Sequence, residues 1–218
     1  MKKWCTVLLH HFVYYKTMKK LLILFSILLF AAQIQAQDTL LLDNIKTVNS
    51  KIMSLKSDIS RTIVKSRKTI SQEGKFYFVS PKEFSAQFST GNYMIVNEKK
   101  AKVDIGLFHG TFKLKEGNTM HSLSNIFLYG FQGRIQDLAE GNNYSLSAKT
   151  ENGYHIVTAT SDKKKLKGNG YKKVVFKFQA ESFLLNEIIL YDNKGNVDTY
   201  TISNAIYNVP IDREIFQF

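Results

Sequence analysis

Apolar and polar residues alternate along most of the chain, and the alternation is strongest in GKFYFVSPKEFSAQF, residues 74–88. Phe76 and Phe78 fall on one face of an extended segment, because successive side chains of a strand point to opposite faces. Pro81 ends the segment, since proline has no N–H for a strand ladder. A second alternating run comes directly after it, so the pattern predicts two antiparallel strands joined by a short turn.

This hairpin carries more apolar surface than two strands can bury alone. Two interpretations are open. The hairpin is either part of the core of an ordinary β domain or one wall of an apolar cavity. The rest of the sequence has to decide between them.

Shorter alternating segments recur on both sides of the hairpin, separated by polar turns, at 58–71, 92–96, 103–115, 144–148, 154–160, 174–178, 184–191 and 198–203. The Asn152-Gly153 pair is a strong hairpin signal. Together the segments predict about ten strands, which is more than one flat sheet holds comfortably. The sheet is therefore expected to curl.

Two segments have helical rather than extended periodicity. Near the start, one apolar stripe recurs at spacings of four and three residues and predicts a helix of about four turns that packs on the sheet. Asp38 or Thr39 can cap that helix. The stripe consists of Leu41, Ile45, Val48, Ile52 and Leu55.

The second helical segment lies mid-chain and is apolar nearly all round. Ser122 can cap it, and Gly130 and Gly133 are predicted to end it and to give it hinge-like freedom. Such a helix is either deeply buried or covers something apolar. We interpret it as a lid over the sheet, with lid residues Leu123, Ile126, Phe127 and Phe131.

The first 36 residues are predicted to be removed. Met18-Lys19-Lys20 is a short positive region, residues 21–32 are apolar but too short to span a bilayer, and Ala36 offers a cleavage site before Gln37. This is the pattern of a Sec signal peptide, with Met18 as the expected start. Residues 37–218 then form one domain, and residues 1–36 comprise the upstream residues and the signal peptide.

Charge and cysteine content narrow the possible partners and the cellular compartment. The full chain has a formal net charge of +12. Residues 1–36 contain five lysines and no acidic residue, so residues 37–218 carry a charge of +7. This moderate basicity suits anionic lipid head groups or acidic partners, and the alternating aromatics argue against a nucleic-acid partner. Cys5 and Trp4 are lost with the leader, so no disulfide or thiolate metal site is expected. The combination points to the bacterial periplasm.

Motifs for catalysis do not rise above chance. His109, His121 and His155 are scattered, without helical ligand spacing, and are expected to be structural or exposed. No serine stands in a G-x-S-x-G elbow. We therefore expect a protein that is not an enzyme and that needs no cofactor or metal.

The order of these pieces resembles the LolA-type outer-membrane lipoprotein carriers in their Bacteroidetes form. The shared features are a signal peptide, an amphipathic helix, a G-x-F-Y-F strand ending in proline, an F-x-x-x-F strand, an apolar mid-chain helix and the late strand–turn–strand IILYDNKGNVDTYTI. The resemblance covers essentially all of residues 37–218. It implies an α+β fold in which a strongly curved antiparallel sheet forms an unclosed β-barrel, its concave apolar side lidded by helices.

The resemblance also implies a function and partners. Members of the family receive acylated lipoproteins from an inner-membrane ABC transporter, shield the acyl chains in a hydrophobic cavity, and deliver them to an outer-membrane acceptor or membrane surface. A monomer with no nucleic-acid partner is expected. The residues expected to line the acyl chains are Phe76, Phe78, Phe84, Phe88, Ile126, Phe127 and Phe178. The alternation of side chains along a strand does not by itself decide which face of the sheet points toward the cavity.

One position departs from the family. An arginine that helps to latch the lid often precedes the proline of the second strand, whereas here that position is Ser80. Arg61 and Arg67 are candidates to replace it.

Other functions stay open on the sequence alone. The same fold could carry another lipid or a pigment precursor, or serve a regulator that senses mislocalised lipoproteins. An enzyme with an unrecognised site is the remaining alternative. A basic segment, residues 163–173, is either a docking surface for an anionic membrane or a solvated loop.

Overall fold

The computed structural model describes residues 38–66, 68–105, 108–116, 118–142, 144–161 and 170–218. The predicted signal peptide, the Gln37 terminus, Arg67 and residues 163–169 of the basic segment lie outside these ranges. The chain divides into two units, Met1–Leu40 and Leu41–Phe218. Residues 38–40 of the first unit are helical, and the whole sheet belongs to the second.

Eleven strands form one antiparallel sheet with the spatial order β6-β5-β4-β3-β2-β1-β11-β10-β9-β8-β7. The sheet curves strongly, and its edges β6 and β7 leave the barrel unclosed, which confirms the predicted α+β class. The strands are β1 Ser54–Lys65, β2 Lys68–Val79, β3 Glu83–Phe88, β4 Tyr93–Asn97, β5 Lys100–Ile105, β6 Phe108–Lys113, β7 Tyr144–Glu151, β8 Tyr154–Ser161, β9 Tyr171–Gln179, β10 Leu185–Asp192 and β11 Val197–Tyr207.

Three α-helices accompany the sheet in the ranges given above. Residues 38–49 form α1, Thr119–Gln132 form α2, and Ile135–Asn142 form α3. The last two lie in the chain between the edge strands β6 and β7. One continuous apolar cluster joins residues of α1, α2 and α3 to one face of the strands, so the core lies between the helices and the concave side of the sheet.

The predicted phenylalanine hairpin is present. Strand β2 pairs with β3 in antiparallel register, with Phe78 opposite Phe84 and Phe76 opposite Ala86. Phe76 and Phe78 are fully buried, whereas Tyr77 between them is partly exposed. The alternation along 74–88 therefore identified the inward face.

Several predicted boundaries were wrong. The first helix ends at residue 49, and Leu55, predicted on its stripe, is an inward residue of β1. The helix was overextended because the apolar spacing continues by chance into the following strand. The single weak strand predicted over 58–71 is two long strands, β1 and β2, with the turn at Ser66 (φ 50°).

The mid-chain helix begins earlier than predicted and contains one of its expected terminators. Asn118, not Ser122, is the cap: its side-chain oxygen accepts a hydrogen bond from the His121 N–H at 2.6 Å. Gly133 ends the helix in a left-handed conformation (φ 67°). Gly130 is an interior helical residue, so only Gly133 of the two glycines predicted to end the helix does so.

The C-terminal segment lies on the outer face of the sheet. The short 3-10 helix Arg213–Phe216 packs on β3 and β4. Arg213 Nη2 pairs with Glu83 Oε2 at 2.5 Å, and Asn97 Nδ2 donates to the Phe216 carbonyl at 3.2 Å. Glu83 and Ser85 on the outer face of β3 are consequently buried, whereas Gln87 on the same face stays exposed.

Candidate functional site

Helix α2 is buried on nearly all sides, because it lies against the concave face of the sheet. Nine of its fourteen residues are buried. Gly130 allows a close approach to β9, since a Cβ there would lie 2.9 Å from Phe176 Cε1. At Gly133 a Cβ would lie 2.6 Å from the Ile45 carbonyl oxygen of α1. The helix therefore fits a tight slot between the sheet and α1.

Aromatic rings form the contact between α2 and the sheet. The Phe131 ring stacks on Phe76 with a centroid separation of 4.6 Å and lies 5.6 Å from Phe78. The Phe127 ring stacks on Phe84 at 5.2 Å and meets Tyr200 edge-on at 4.9 Å. Pairs with these separations attract each other beyond the burial of their area. In this structure the rings fill the space in front of the hairpin.

The structure brings all predicted lining and lid residues into the one apolar cluster. They come from β2, β3, β9 and α2, and none is more than 5% exposed: Phe76, Phe78, Phe84, Phe88, Leu123, Ile126, Phe127, Phe131 and Phe178. Here most of them pack against one another within that cluster. Their role in holding acyl chains stays a prediction.

A cavity of about 140 Å³ lies beside this packed region, next to the first half of α2. Leu123 is the one predicted site residue on its wall. The wall has two chemical halves. The apolar half consists of Ile63, Ile105, Phe108, Leu123 and Leu190, and the polar half of Arg61, Lys65, Gly170, Tyr171, Asp192, Asn193, Lys194, Asn196, Asp198 and Tyr200.

A buried ion pair forms part of this wall. Arg61 lies on the inward face of β1, between Ile59 and Ile63. Its Nε donates to Asp198 Oδ1 at 2.9 Å and its Nη2 to Asp198 Oδ2 at 2.6 Å, with the two side chains 7% and 17% exposed. The Tyr200 hydroxyl donates to the same carboxylate at 3.1 Å. These contacts compensate two charges removed from water.

The pair holds its neighbours in defined protonation states. Burial alone would lower the pKa of Arg61, but Tyr200 and the hydrogen-bonded Asp198 raise it above its ordinary value. Burial, and then the Asp198 carboxylate, raise the pKa values of Tyr171 and Tyr200. Arg61 is therefore a permanent cation, and both phenols stay protonated at neutral pH.

The outer rim of the cavity is formed by the turn between β10 and β11. Asp192 Oδ1 accepts the N–H groups of Lys194 and Asn196 at 2.7 and 2.9 Å, and its Oδ2 accepts Asn196 Nδ2 at 2.6 Å. Burial would raise the pKa of this carboxyl, but these hydrogen bonds lower it below its ordinary value. Within the described ranges, neither Lys65 nor Lys194 forms an ion pair.

The turn after β2 contacts the end of α2. Gln132 Nε2 donates to the Pro81 carbonyl at 2.5 Å, and Arg134 Nη1 donates to Gln132 Oε1 at 3.2 Å. Gln132 is 6% exposed. At the place where the family resemblance predicts an arginine before the proline, the helix itself thus supplies the hydrogen bond. Arg61 pairs with β11 instead.

Other candidate chemistry is sparse in the part of the chain that the structure describes. His155 stacks on Phe183 at 4.7 Å and contacts the Ala180 carbonyl at 3.1 Å, while His109 is exposed beside Asp104. Among those residues no group of three or more acidic, histidine or cysteine side chains could hold a metal ion. Nor does any helix there have the length and apolar character to cross a bilayer.

No family model and no curated protein sequence matches the chain. Solved structures similar to it include a DUF1329 family protein from Desulfovibrio piger, with 14% identity, a TM-score of 0.46, and coverage of 84% of this chain and 97% of that one. A LolA superfamily protein from Nitrosomonas europaea has 9% identity and a TM-score of 0.42, over 83% and 97% of the two chains.

A third similar structure is the MucA/MucB complex of Pseudomonas aeruginosa, with 8% identity and a TM-score of 0.44, over 84% of this chain and 61% of that one. The LolA resemblance predicted from the sequence thus reappears among solved structures as a likeness of fold.

Proposed function

We propose that the protein is a carrier that shields acyl chains between the concave face of its sheet and helix α2. The observation that carries this proposal is the stacking of Phe127 and Phe131 of α2 on Phe84 and Phe76 of the sheet, beside an existing cavity. A helix attached by apolar rings can exchange those contacts for contacts with an acyl chain, since both are non-directional.

The energetics favour such an exchange. A buried methylene contributes about 0.8 kcal/mol, so one sixteen-carbon chain gains roughly 12 kcal/mol gross. A carrier that kept this whole gain would not release its cargo. Displacing the packed rings of α2 offsets part of it, because the helix loses burial when the chain gains burial. The packing of α2 against the sheet in the empty protein thus limits the affinity for an acyl chain.

The size of the cavity requires movement. Sites for drug-sized ligands measure about 300–1,000 Å³, whereas the cavity here is about 140 Å³. An acyl chain therefore needs α2 to move away from the sheet. The Gln132 contact with Pro81 and the close fit of Gly133 against α1 mark the end of α2 that stays attached.

The cargo we propose is an acylated lipoprotein, received in the periplasm from an inner-membrane ABC transporter and delivered by the monomer to an outer-membrane acceptor. Another lipid is the alternative cargo. Native mass spectrometry of the protein purified from its own compartment identifies which is carried. An acylated peptide supports the first cargo, and a free lipid replaces it with the second.

Substitution of Phe127 by alanine tests the carrier. Phe216, almost as fully buried but on the outer face of the sheet, is the matched control. Phe216→Ala should lower the free energy of unfolding by about 3–5 kcal/mol, as for a core phenylalanine. Phe127→Ala should lower it by less, because the sheet keeps its own core, and acyl-chain affinity should stay level or rise as competing packing is lost.

The measurements are denaturant melts of both variants and titrations with a fluorescent fatty acid and with an uncharged pyrene-labelled alcohol. If neither probe binds to the unmodified protein or to Phe127→Ala, and if the two variants lose equal stability, α2 is an ordinary part of the core. That result would reject the carrier.

A further inference from the structure

Arg61 has hydrogen-bonding capacity that the described residues do not use. A guanidinium presents a planar fork of N–H donors. Asp198 takes one edge of that fork, through Nε and Nη2. Both N–H groups of Nη1 lack an acceptor among the described residues, although the side chain is 7% exposed and lies on the cavity wall. A guanidinium N–H on a cavity wall with no protein acceptor there can donate to a ligand, so an acceptor in the cavity would pair with it.

Tyr171 offers a second group of the same kind. Its backbone carbonyl accepts the Tyr144 hydroxyl at 3.1 Å, whereas its own hydroxyl lacks a partner within the described ranges. The hydroxyl belongs to a residue that lines the cavity together with Arg61. Because this phenol stays protonated, it can donate a hydrogen bond to an oxygen acceptor.

The charges around the cavity favour an anion. Asp198 is neutralised by Arg61, and three donors of its own turn surround the Asp192 carboxylate. Lys65 and Lys194, both exposed, add positive charge at the rim. The two carboxylates are therefore engaged, and the rim lysines, which form no ion pair with any described residue, attract a negative group.

Apolar residues of the lining lie beside the ion pair and reach α2. Ile63 of β1 and Leu190 of β10 are the cross-strand neighbours of Asp198, and Leu123 belongs to α2. Donors next to aliphatic side chains match a molecule with an acidic end and a hydrocarbon chain.

We propose that the cavity is a headgroup site that binds a carboxylate or phosphate oxygen of an acylated ligand, with Arg61 Nη1 as the principal donor. The first methylenes lie against Ile63, Leu123 and Leu190, and the chain continues beneath α2. This site rests on the proposed acyl-chain carrier and favours the alternative cargo, a lipid with an acidic end, because the ester- and amide-linked chains of a lipoprotein carry no free carboxylate or phosphate. Ester-linked chains present only neutral carbonyl oxygens to Arg61 and bind less tightly.

Ligands that share one chain length test the site. Dodecanoate, dodecyl phosphate and methyl dodecanoate are titrated into the unmodified protein by calorimetry, with inorganic phosphate as a chain-free probe. Dodecanoate and dodecyl phosphate should bind about tenfold more tightly than the methyl ester, the effect of one charge-assisted hydrogen bond. Inorganic phosphate alone should bind far more weakly than dodecyl phosphate.

Two variants assign the preference to named residues. Arg61→Lys keeps the positive charge beside Asp198 but removes the Nη1 fork, so the preference for dodecanoate should fall about tenfold while ester affinity stays level. Lys65→Gln/Lys194→Gln alters only the rim and should weaken dodecanoate binding at low salt. Lys56→Gln/Lys82→Gln, exposed positions off the cavity, makes the same charge change and should have no effect.

The outcomes separate the two proposals. Equal affinity for ester and carboxylate in the unmodified protein overturns the headgroup site and leaves the carrier intact. Failure of every chain-bearing ligand to bind rejects both. If inorganic phosphate binds as tightly as dodecyl phosphate, the cavity is a free-anion site and the acylated ligand is excluded. If Arg61→Lys does not fold, Lys65→Gln/Lys194→Gln and its control Lys56→Gln/Lys82→Gln are compared instead, by their affinity for dodecanoate and for the methyl ester.

Discussion

Gly130 shows how one residue sets the position of helix α2. Its hydrogen faces the Phe176 ring of β9, and an added methyl group would lie 2.9 and 3.2 Å from two ring carbons and 3.4 Å from Ile188 Cδ1. Phe176 is fully buried and cannot move aside freely. The glycine is therefore a packing residue rather than the hinge that its place in the sequence suggests.

Gly130→Ala sets two effects against each other. Alanine favours the helix by about 1 kcal/mol, whereas overpacking a core costs about 1–3 kcal/mol. We expect a net loss of about 1 kcal/mol in the free energy of unfolding, measured by urea melts. Ser122→Ala, on a partly exposed position of the same helix, is the control and should be neutral or slightly stabilising. A clear gain in stability for Gly130→Ala would show that the slot is looser than described.

The C-terminal phenylalanines provide a second comparison at this scale. Phe216 is 1% exposed on the outer face of the sheet, and Phe218, two residues later, is 47% exposed. Phe216→Ala should lower the free energy of unfolding by about 3–5 kcal/mol, and Phe218→Ala by less than about 0.5 kcal/mol. Equal melting curves for the two variants would mean that the 3-10 helix does not stay on β3 and β4.

At the scale of elements, the hydrogen bond from Gln132 to Pro81 joins the end of α2 to the β2–β3 turn. A side-chain amide gives a neutral hydrogen bond, which is weaker than one from a guanidinium. Because the amide does not titrate, we expect this contact between α2 and the turn to be independent of pH.

Gln132→Ala should loosen α2 more than it destabilises the sheet. The loss of one hydrogen bond is worth about 1 kcal/mol, and hydrogen exchange of the α2 amides should accelerate about fivefold relative to the β2 amides. Asn125→Ala, on the same helix and partly exposed, is the control. Uniform acceleration in α2 and β2 would instead indicate global destabilisation without a local opening.

Local patterns predicted much of the fold but little of the cavity. Alternation identified the inward faces of β2 and β3, and Asn152-Gly153 marked the β7–β8 turn, with φ angles of 52° and 77°. The turn at Ser66 was missed because it carries neither glycine nor proline. The Arg61–Asp198 pair was missed because its partners are 137 residues apart and meet only through the β1–β11 pairing.

At the scale of the whole molecule, two meanders make up the sheet. Strands β1–β6 pair in sequence order, as do β7–β11, and the single ladder between β1 and β11 joins them. Helices α2 and α3 connect the two meanders at the open edges. The candidate headgroup site stands on the β1–β11 junction, so both meanders are needed to build it.

The β1–β11 ladder also has a kinetic consequence. Every other ladder joins strands that are neighbours in the chain and can form with a short loop, whereas Leu55 must find Tyr207 across most of the domain. Contacts between residues distant in sequence form slowly, because the chain between them loses entropy before the contact is made. Each meander can gain order early, but Arg61 acquires its counter-ion only when the two halves meet. Until then the inward phenylalanines of β2 and β3 face solvent beside an unfinished sheet edge, which is where a newly made chain is most exposed to aggregation.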